Sequence, residues 1–220
     1  MTGSDPKHAN DRSSATRALL QGAKLIPVLT ITDLKSAVPL AKALVAGGVR
    51  TLEITLRTSA GADAASAILD EVPEAIVGLG TVLTAADLAL CKKRGFHFAF
   101  SPGASPALLD AAVTAGIDFV PGIQTASEIM ACLERGFDTM KFFPAVPAGG
   151  LAAVKALAGP FPNISFCPTG GISEADTAAW LKLPNVLAVG GSWLAPPDEV
   201  ARGDWAAITA RASRALAALS

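Results

Sequence analysis

Short apolar runs alternate with longer segments of mixed apolar and polar residues along most of the chain, and this pattern predicts strands followed by helices. Asp33 marks the start of one helix, because its side chain can cap the backbone after the first apolar run, and Gly47-Gly48 marks the end of that helix. In the first half of the chain, we predict a helix over residues 14–21, strands over 25–31, 49–55 and 75–80, and helices over 33–45, 60–70 and 85–93.

The second half of the chain is nearly periodic. Gly95, Gly116 and Gly136 each precede a predicted strand, and they are separated by 21 and 20 residues. Each interval has room for one short strand and one helix of about ten residues, which is the spacing of βα units with parallel strands. Two further units follow, with strands predicted over 164–167 and 186–189 and helices over 174–181 and 198–216.

Eight predicted strands, each followed by a helix, fit an α/β fold of the (β/α)8 TIM-barrel type. We predict a single domain over residues 13–220, in which the helix at 14–21 is an extra N-terminal helix. A doubly wound open sheet is the alternative, but it favours a glycine-rich turn after the first strand, and Thr30-Ile31-Thr32-Asp33 has no glycine. The polar residues 1–12 are interpreted as a disordered N-terminus or a remnant of an expression vector.

Composition and charge exclude several classes of function. The formal net charge of −1 gives no broad electrostatic basis for binding nucleic acid or an anionic membrane surface. No apolar run approaches the ~18 residues that a membrane-spanning helix needs. Cys91, Cys132 and Cys167 lack metal-binding spacing, and their odd number favours reduced thiols in a cytoplasmic protein. With only His8 and His97, a histidine-based triad or a multi-histidine zinc site is disfavoured.

One lysine stands inside an apolar run, in the segment Met140-Lys141-Phe142-Phe143-Pro144. If this segment is a strand, its side chains alternate between two faces, so that Lys141 and Phe143 share one face. Burial among apolar groups favours the neutral amine, which is the nucleophile that forms Schiff bases with carbonyl substrates. The alternative is a lysine at a strand edge whose ammonium group extends into solvent.

A carboxylate is predicted to face the same interior. In the second strand, Leu52 and Ile54 should pack on the helices, which directs Glu53 into the barrel, where a carboxylate needs a partner. Arg57 lies four residues further on, at the mouth of the barrel. Glu53 could form a purely structural ion pair, or it could transfer protons beside a Schiff-base lysine while Arg57 holds a substrate carboxylate.

Turn residues follow several predicted strands at the end where barrels of this type hold their active sites. Thr81 and Pro102 follow the third and fourth strands, and both positions are compatible with a site or with a simple turn, the turn being favoured for Pro102. Gly170-Gly171 ends the seventh strand, and Gly190-Gly191-Ser192 ends the eighth. Glycine loops after these two strands favour a phosphate site over mere tight turns, because their backbone can closely approach an anion.

Taken together, these segments resemble the bacterial 2-dehydro-3-deoxy-6-phosphogluconate (KDPG) aldolases, which overlap with the 4-hydroxy-2-oxoglutarate (KHG) aldolases. The resemblance covers residues 25–194, and five motifs carry it, over residues 48–58, 80–83, 101–103, 141–145 and 167–172. It implies that Lys141 forms the Schiff base with the 2-oxo acid and that Glu53 is the general acid and base. It also implies a pyruvate pocket and a phosphate site, formed respectively by Arg57, Thr81, Pro102, Phe143 and Thr169 and by Gly170, Gly171 and Ser192.

The resemblance implies a class I aldolase that cleaves KDPG to pyruvate and glyceraldehyde 3-phosphate, and possible cleavage of 4-hydroxy-2-oxoglutarate to pyruvate and glyoxylate. It implies no metal or cofactor, a homotrimer and a cytoplasmic role in the Entner-Doudoroff pathway. The segment 145–150 departs from the Ala-Glu-x-x-Gly-Gly form expected in some members, which leaves the galactonate epimer open as substrate. A phosphosugar isomerase or epimerase, or a non-catalytic sugar-phosphate binder, remains an alternative on the same barrel.

Overall fold

The computed structural model describes the backbone of residues 6–219 and the side chains from Ser14 onward. Its strands are all short. They are β1 Leu25–Leu29, β2 Thr51–Thr55, β3 Ile76–Gly80, β4 Phe98–Phe100, β5 Phe119–Val120, β6 Gly122–Ile123, β7 Thr139–Phe142, β8 Ser165–Phe166 and β9 Val189–Gly191. The helices are α1 Pro6–Ala23, α2 Ala37–Ala46, α3 Gly61–Glu71, α4 Ala85–Arg94, α5 Pro106–Ala115, α6 Ala126–Leu133, α7 Gly150–Leu157, α8 Thr177–Leu181, α9 Pro197–Arg202 and α10 Trp205–Ala217.

The strands form two parallel sheets. Six strands pair in the order β5-β4-β3-β2-β1-β9, and three pair in the order β6-β7-β8. The two sheets separate at Pro121, between β5 and β6, because proline has no backbone N–H to donate. Isolated bridges between Phe166 and Val186 and between Thr169 and Gly190 link the end of the smaller sheet to the β9 region. The predicted α/β class with a parallel sheet is therefore confirmed, with a curled sheet of six strands as its main part.

The ends of the chain differ from the predictions. Helix α1 begins at Pro6 instead of at residue 14. The interpretation of residues 1–12 as a disordered N-terminus or a vector remnant stays a prediction, and residues 1–5 lie outside the described residues. The predicted helix over 198–216 is two helices, α9 and α10, because Gly203 adopts a left-handed conformation with φ of 66° and ends α9. The last strand is Val189–Gly191 instead of 186–189.

Capping side chains and glycines fix several βα units. Thr84 accepts a hydrogen bond from the backbone N–H of Asp87, whose carboxylate accepts one in return from the N–H of Thr84, which is a capping box at the start of α4. Gly95 and Gly116 end α4 and α5 in the left-handed conformation, with φ of 76° and 68°. Gly95 and Gly116, two of the evenly spaced glycines of the sequence, therefore mark helix ends, and the next strand begins shortly after each of them.

Helix α1 covers one end of the strands. Leu20 is fully buried and packs with Ile26 of β1 and Phe100 of β4. Arg17 donates a hydrogen bond to Ser165 Oγ at 2.6 Å and forms an ion pair with Asp138 at 3.3 Å. Because these partners lie at the amino-terminal ends of β7 and β8, α1 leaves the carboxyl ends of the strands open for a site.

No helix within residues 6–219 is both long and apolar enough to cross a membrane. Among the side chains of residues 14–219, no group of three or more histidine, cysteine, aspartate and glutamate side chains lies close enough together to hold a metal ion.

Candidate active site

Lys141 is held rigidly in the interior. It lies in β7, where it pairs in register with Gly122 of β6, and its backbone N–H donates to the carbonyl of Pro121 at 2.8 Å. Only 2% of its side chain is exposed. The alternation predicted for this strand therefore directs the amine inward, and the alternative of a lysine that extends into solvent is wrong.

Glu53 is the hydrogen-bond partner of the Lys141 amine. Its side chain is fully buried, and Oε1 accepts a hydrogen bond from Lys141 Nζ at 2.8 Å. The second oxygen, Oε2, accepts no hydrogen bond from the described residues. The rings of Phe100 and Phe143 lie with their centroids 5.4 and 5.5 Å from Nζ. The amine thus has one carboxylate and two aromatic faces around it, and the carboxylate keeps one oxygen for a further proton donor.

A cleft of about 310 Å³ lies next to this pair. It is connected to the amine through Phe143, which lines the cleft and also contacts Nζ. Six of the residues predicted for substrate or phosphate binding line it, namely Arg57, Phe143, Thr169, Gly170, Gly171 and Ser192. The structure therefore brings together residues that lie up to 135 positions apart in the sequence.

Arg57 and Thr81 act as a unit at the rim of the cleft. Arg57 Nε donates a hydrogen bond to Thr81 Oγ1 at 3.0 Å. Thr81 has a φ of 59°, which is rare for a β-branched residue and marks stored backbone strain. Among the described residues Arg57 forms no ion pair, so its guanidinium is available to a substrate carboxylate.

Pro102 does not line the cleft. Its backbone lies against Gly122, where a Cβ atom would be 2.5 Å from the Pro102 carbonyl oxygen. Because Gly122 pairs with Lys141, Pro102 is one strand away from the amine. Its contact with a substrate stays a prediction.

The glycine loop after β8 approaches the cleft with its backbone. Gly170 and Gly171 both have positive φ values, of 105° and 80°. The N–H of Val146 donates to the Gly170 carbonyl at 3.0 Å, which fixes the loop from the β7 side. A Cβ atom on Gly171 would lie 2.9 Å from Val146 Cβ, so the loop has no room for a side chain there. Exposed Ser192 completes this end of the cleft.

The structure adds residues that the sequence pattern did not single out. Thr30 lines the cleft, and its hydroxyl lies 3.0 Å from that of Thr55. Its position directly after β1 is the same signal that drew attention to Thr81. Phe100, by contrast, reads as an ordinary core residue, and no local pattern places its ring beside the amine.

Cys167 is a third polar group close to the pair. Burial raises the pKa of its thiol to about 12, while the charge of Lys141 acts to lower it and that of Glu53 to raise it. The thiol therefore stays protonated near neutral pH and is a poor nucleophile.

The model of the family described as KDPG and KHG aldolase matches residues 16–211. A 2-dehydro-3-deoxy-phosphogluconate aldolase of Pseudoalteromonas atlantica is 54% identical over 88% of this chain and 90% of its own length. The KHG/KDPG aldolase of Escherichia coli K12 is 50% identical over 94% of this chain and 97% of its own length.

A solved structure has the same fold. The KDPG aldolase of Legionella pneumophila, with pyruvate captured as a covalent carbinolamine intermediate, superposes with a TM-score of 0.89 at 40% identity, covering 91% of this chain and 97% of the other. The family-model match over residues 16–211 includes the strands that carry the lysine, the carboxylate and the glycine loops. The chain belongs to the KDPG and KHG aldolase family.

Proposed function

We propose that this protein is a class I aldolase that cleaves KDPG reversibly to pyruvate and glyceraldehyde 3-phosphate, with Lys141 as the Schiff-base residue. The same site accounts for cleavage of 4-hydroxy-2-oxoglutarate to pyruvate and glyoxylate. The buried hydrogen bond of 2.8 Å between Lys141 Nζ and Glu53 Oε1, beside the cleft, is the single observation that carries the proposal. Names of the relatives point to the same reaction.

The reaction starts with transfer of a proton from the Lys141 ammonium group to Glu53, which frees the amine. Nζ then attacks the C2 carbonyl of the substrate, and a proton of the amine passes to the carbonyl oxygen to give a carbinolamine. Glu53 returns its proton to the carbinolamine hydroxyl, which leaves as water and gives an iminium ion, so that Glu53 is again a carboxylate. Glu53, through a water molecule, removes the proton of the C4 hydroxyl as the C3–C4 bond breaks. The bonding electrons move into the iminium ion, so glyceraldehyde 3-phosphate leaves and an enamine remains.

The second half of the reaction returns the enzyme to its starting state. Glu53 delivers a proton to C3 of the enamine, and the resulting iminium ion is hydrolysed to pyruvate and the free lysine. Because the iminium ion itself accepts the electrons, the chemistry needs no metal ion. The free oxygen Oε2 is the atom that meets the proton-bearing water.

The pyruvate half of the substrate lies between the rim and the interior. Arg57 and Thr169 hold its carboxylate, with Thr81 fixing the direction of the guanidinium. Phe143 supplies the apolar wall of the cleft, and Pro102, which lies outside the cleft, would meet the substrate only on the side of the amine. Thr169 is buried and lines the same cleft as Arg57, which supports this assignment.

The phosphate lies at the opposite end of the cleft, on Gly170, Gly171 and Ser192. The positive φ values of the two glycines leave their backbone unscreened by side chains, and the Ser192 hydroxyl is exposed to the cleft. Val146 and Pro147 lie beside Gly171, 2.9 and 3.7 Å from the place that a Cβ atom would take there, so the segment that departs from the expected family form borders the glycine loop. We therefore keep the galactonate epimer as a second substrate to be tested.

A phosphosugar isomerase or epimerase and a non-catalytic sugar-phosphate binder are less well supported. Neither function needs a buried lysine and carboxylate, and removing two such charges from water costs free energy. For the complete structure we propose a closed barrel of eight strands, with β5 and β6 acting as one strand interrupted at Pro121. We propose a homotrimer from the family resemblance. We propose a cytoplasmic location from the same resemblance and from the three free cysteines. Sedimentation equilibrium tests the trimer.

The test of the proposed function is a steady-state assay of pyruvate release from KDPG, from its galactonate epimer and from 4-hydroxy-2-oxoglutarate. We expect Lys141→Ala to lose at least about a thousandfold in kcat/KM, because the covalent route is removed. Lys155→Ala, which changes an exposed lysine of α7, is the matched control and should retain full activity. Full turnover by Lys141→Ala would refute the proposed mechanism.

A further inference from the structure

The inner face of β3 carries a side chain only at Ile76, at the amino-terminal end of the strand. Val77 and Leu79 point outward into the core between strands and helices, and Gly78 and Gly80 alternate with them. A Cβ atom on Gly78 would lie 2.2 Å from the ring of Phe98, and one on Gly80 would lie 2.3 Å from Glu53 Oε1. Side chains from the neighbouring strands therefore occupy the space above both glycines.

Glu53 uses this space to reach the amine. Its backbone is in register with Gly78, yet its carboxylate lies against Gly80, two residues closer to the carboxyl end of the sheet. The side chain therefore runs along the surface of β3 in the direction of Lys141. The methylene Cγ and the carboxyl carbon are also within reach of a Cβ at position 80, at 2.6 and 2.8 Å.

We propose that Gly80 is a positioning residue of the aldolase, because the absence of its side chain sets the place of the Glu53 carboxylate beside Lys141. This inference rests on the proposed role of Glu53 as acid and base. Gly80 is absent from the glycines with positive φ, so its backbone conformation is open to alanine. The lack of a Cβ atom, and not the freedom of the backbone, is what the position requires.

A methyl group at position 80 displaces the side chain and not the strand. The backbone of β3 is paired with β2 over five residues and with β4 on its other side, whereas Glu53 has rotatable bonds. The oxygen that the methyl group would strike is the same Oε1 that accepts from Lys141 Nζ. Gly80→Ala therefore separates the base from the amine without touching either residue.

The first experiment follows exchange of the pyruvate methyl protons in D2O by NMR, which reports proton transfer at the enamine. We expect Gly80→Ala to slow exchange at least about tenfold, since general acid and base catalysis contributes 10²–10⁴-fold. Gly78→Ala is the matched control, because the same methyl group on the same strand meets Phe98 instead. It should lower Tm while keeping exchange within about threefold of wild type. Equal loss of exchange in both variants, or near-normal exchange in Gly80→Ala, would overturn the proposal.

A second experiment works even if Gly80→Ala is poorly folded. In the wild-type background, Gly80→Ala should lower Tm because the new methyl group meets the Glu53 carboxylate. In the Glu53→Ala background the carboxylate is absent, the methyl group has room, and Gly80→Ala should no longer lower Tm. The same loss of Tm in both backgrounds would overturn the steric relationship. Glu53→Ala alone tests the role of Glu53: if that variant exchanges protons at the wild-type rate, the proposed acid and base is wrong while the steric coupling can still be measured.

Discussion

The hydrogen bond between Lys141 Nζ and Glu53 Oε1, 2.8 Å long, joins the two sheets of the molecule. Glu53 lies on β2 of the six-stranded sheet, and Lys141 lies on β7 of the three-stranded sheet. Both side chains are buried, so each charge depends on the other for compensation. One contact thereby serves the reaction and the association of the sheets.

The buried pair predicts an unusual pattern of stability. Lys141→Met leaves the Glu53 carboxylate without its partner, and we expect the free energy of unfolding to fall by about 3–5 kcal/mol. Adding Glu53→Met removes the remaining charge and should restore most of that loss. Urea unfolding followed by fluorescence of the three tryptophans measures both values. A single variant as stable as wild type, or a double variant less stable than the single one, would contradict the account.

The hydrogen bond between Arg57 and Thr81 predicts a difference between two substitutions. Thr81→Val keeps the shape but removes the acceptor for Arg57 Nε, so we expect KM for KDPG to rise about three- to tenfold, as for the loss of roughly 1 kcal/mol. Thr81→Ser keeps the hydroxyl and should bind substrate like wild type. Steady-state kinetics of both variants decides the matter, and an equal KM for the two would show that Arg57 needs no such support.

The glycine loop predicts a selective effect on phosphorylated substrate. Gly171→Ala forces a residue with φ of 80° to carry a Cβ atom against Val146, so KM for KDPG should rise while KM for 4-hydroxy-2-oxoglutarate, which has no phosphate, stays unchanged. Gly116→Ala is the control, because it has a φ of 68° and open space around it. It should lower stability by about 1–2 kcal/mol without changing either KM. A parallel rise of KM for both substrates in Gly171→Ala would contradict a phosphate role.

The buried thiols predict slow alkylation of the folded protein and a loss of its stability at alkaline pH. Burial raises the pKa of Cys91, Cys132 and Cys167 from 9.0 to about 12. At pH 8 the folded protein should therefore react with iodoacetamide far more slowly than the protein in urea. Because the folded state holds these protons more tightly, its stability is unaffected below pH 9 and falls as pH rises towards 12. Rapid alkylation of the native protein, counted by mass spectrometry, would be the contrary result.

Much of the fold follows from local signals. The glycines at 95 and 116 end helices because left-handed residues favour glycine, and that physics acts within a few residues. The break between α9 and α10 at Gly203 has the same cause, but it lies within a helical pattern that continues on both sides. Pro121 likewise interrupts an apolar run that reads as one strand.

The site was predictable only in part. Alternation in β2 and β7 directs Glu53 and Lys141 inward, and this period-two pattern is visible in the sequence. The space that admits the Glu53 carboxylate is not visible in the sequence, because it depends on Gly80 of a neighbouring strand. Phe100 is also close to the amine through packing between strands, which no local pattern contains.

The most direct test of the central claim is mass spectrometry of the protein after incubation with pyruvate and borohydride. Reduction traps the iminium ion as a stable secondary amine, and we predict one pyruvate-derived adduct on the peptide that contains Lys141, with none in Lys141→Ala. Lys155→Ala should be modified as fully as wild type, since Lys155 is exposed on α7. A folded protein that gains no adduct, or an adduct on a different lysine, would contradict the assignment of Lys141 as the Schiff-base residue.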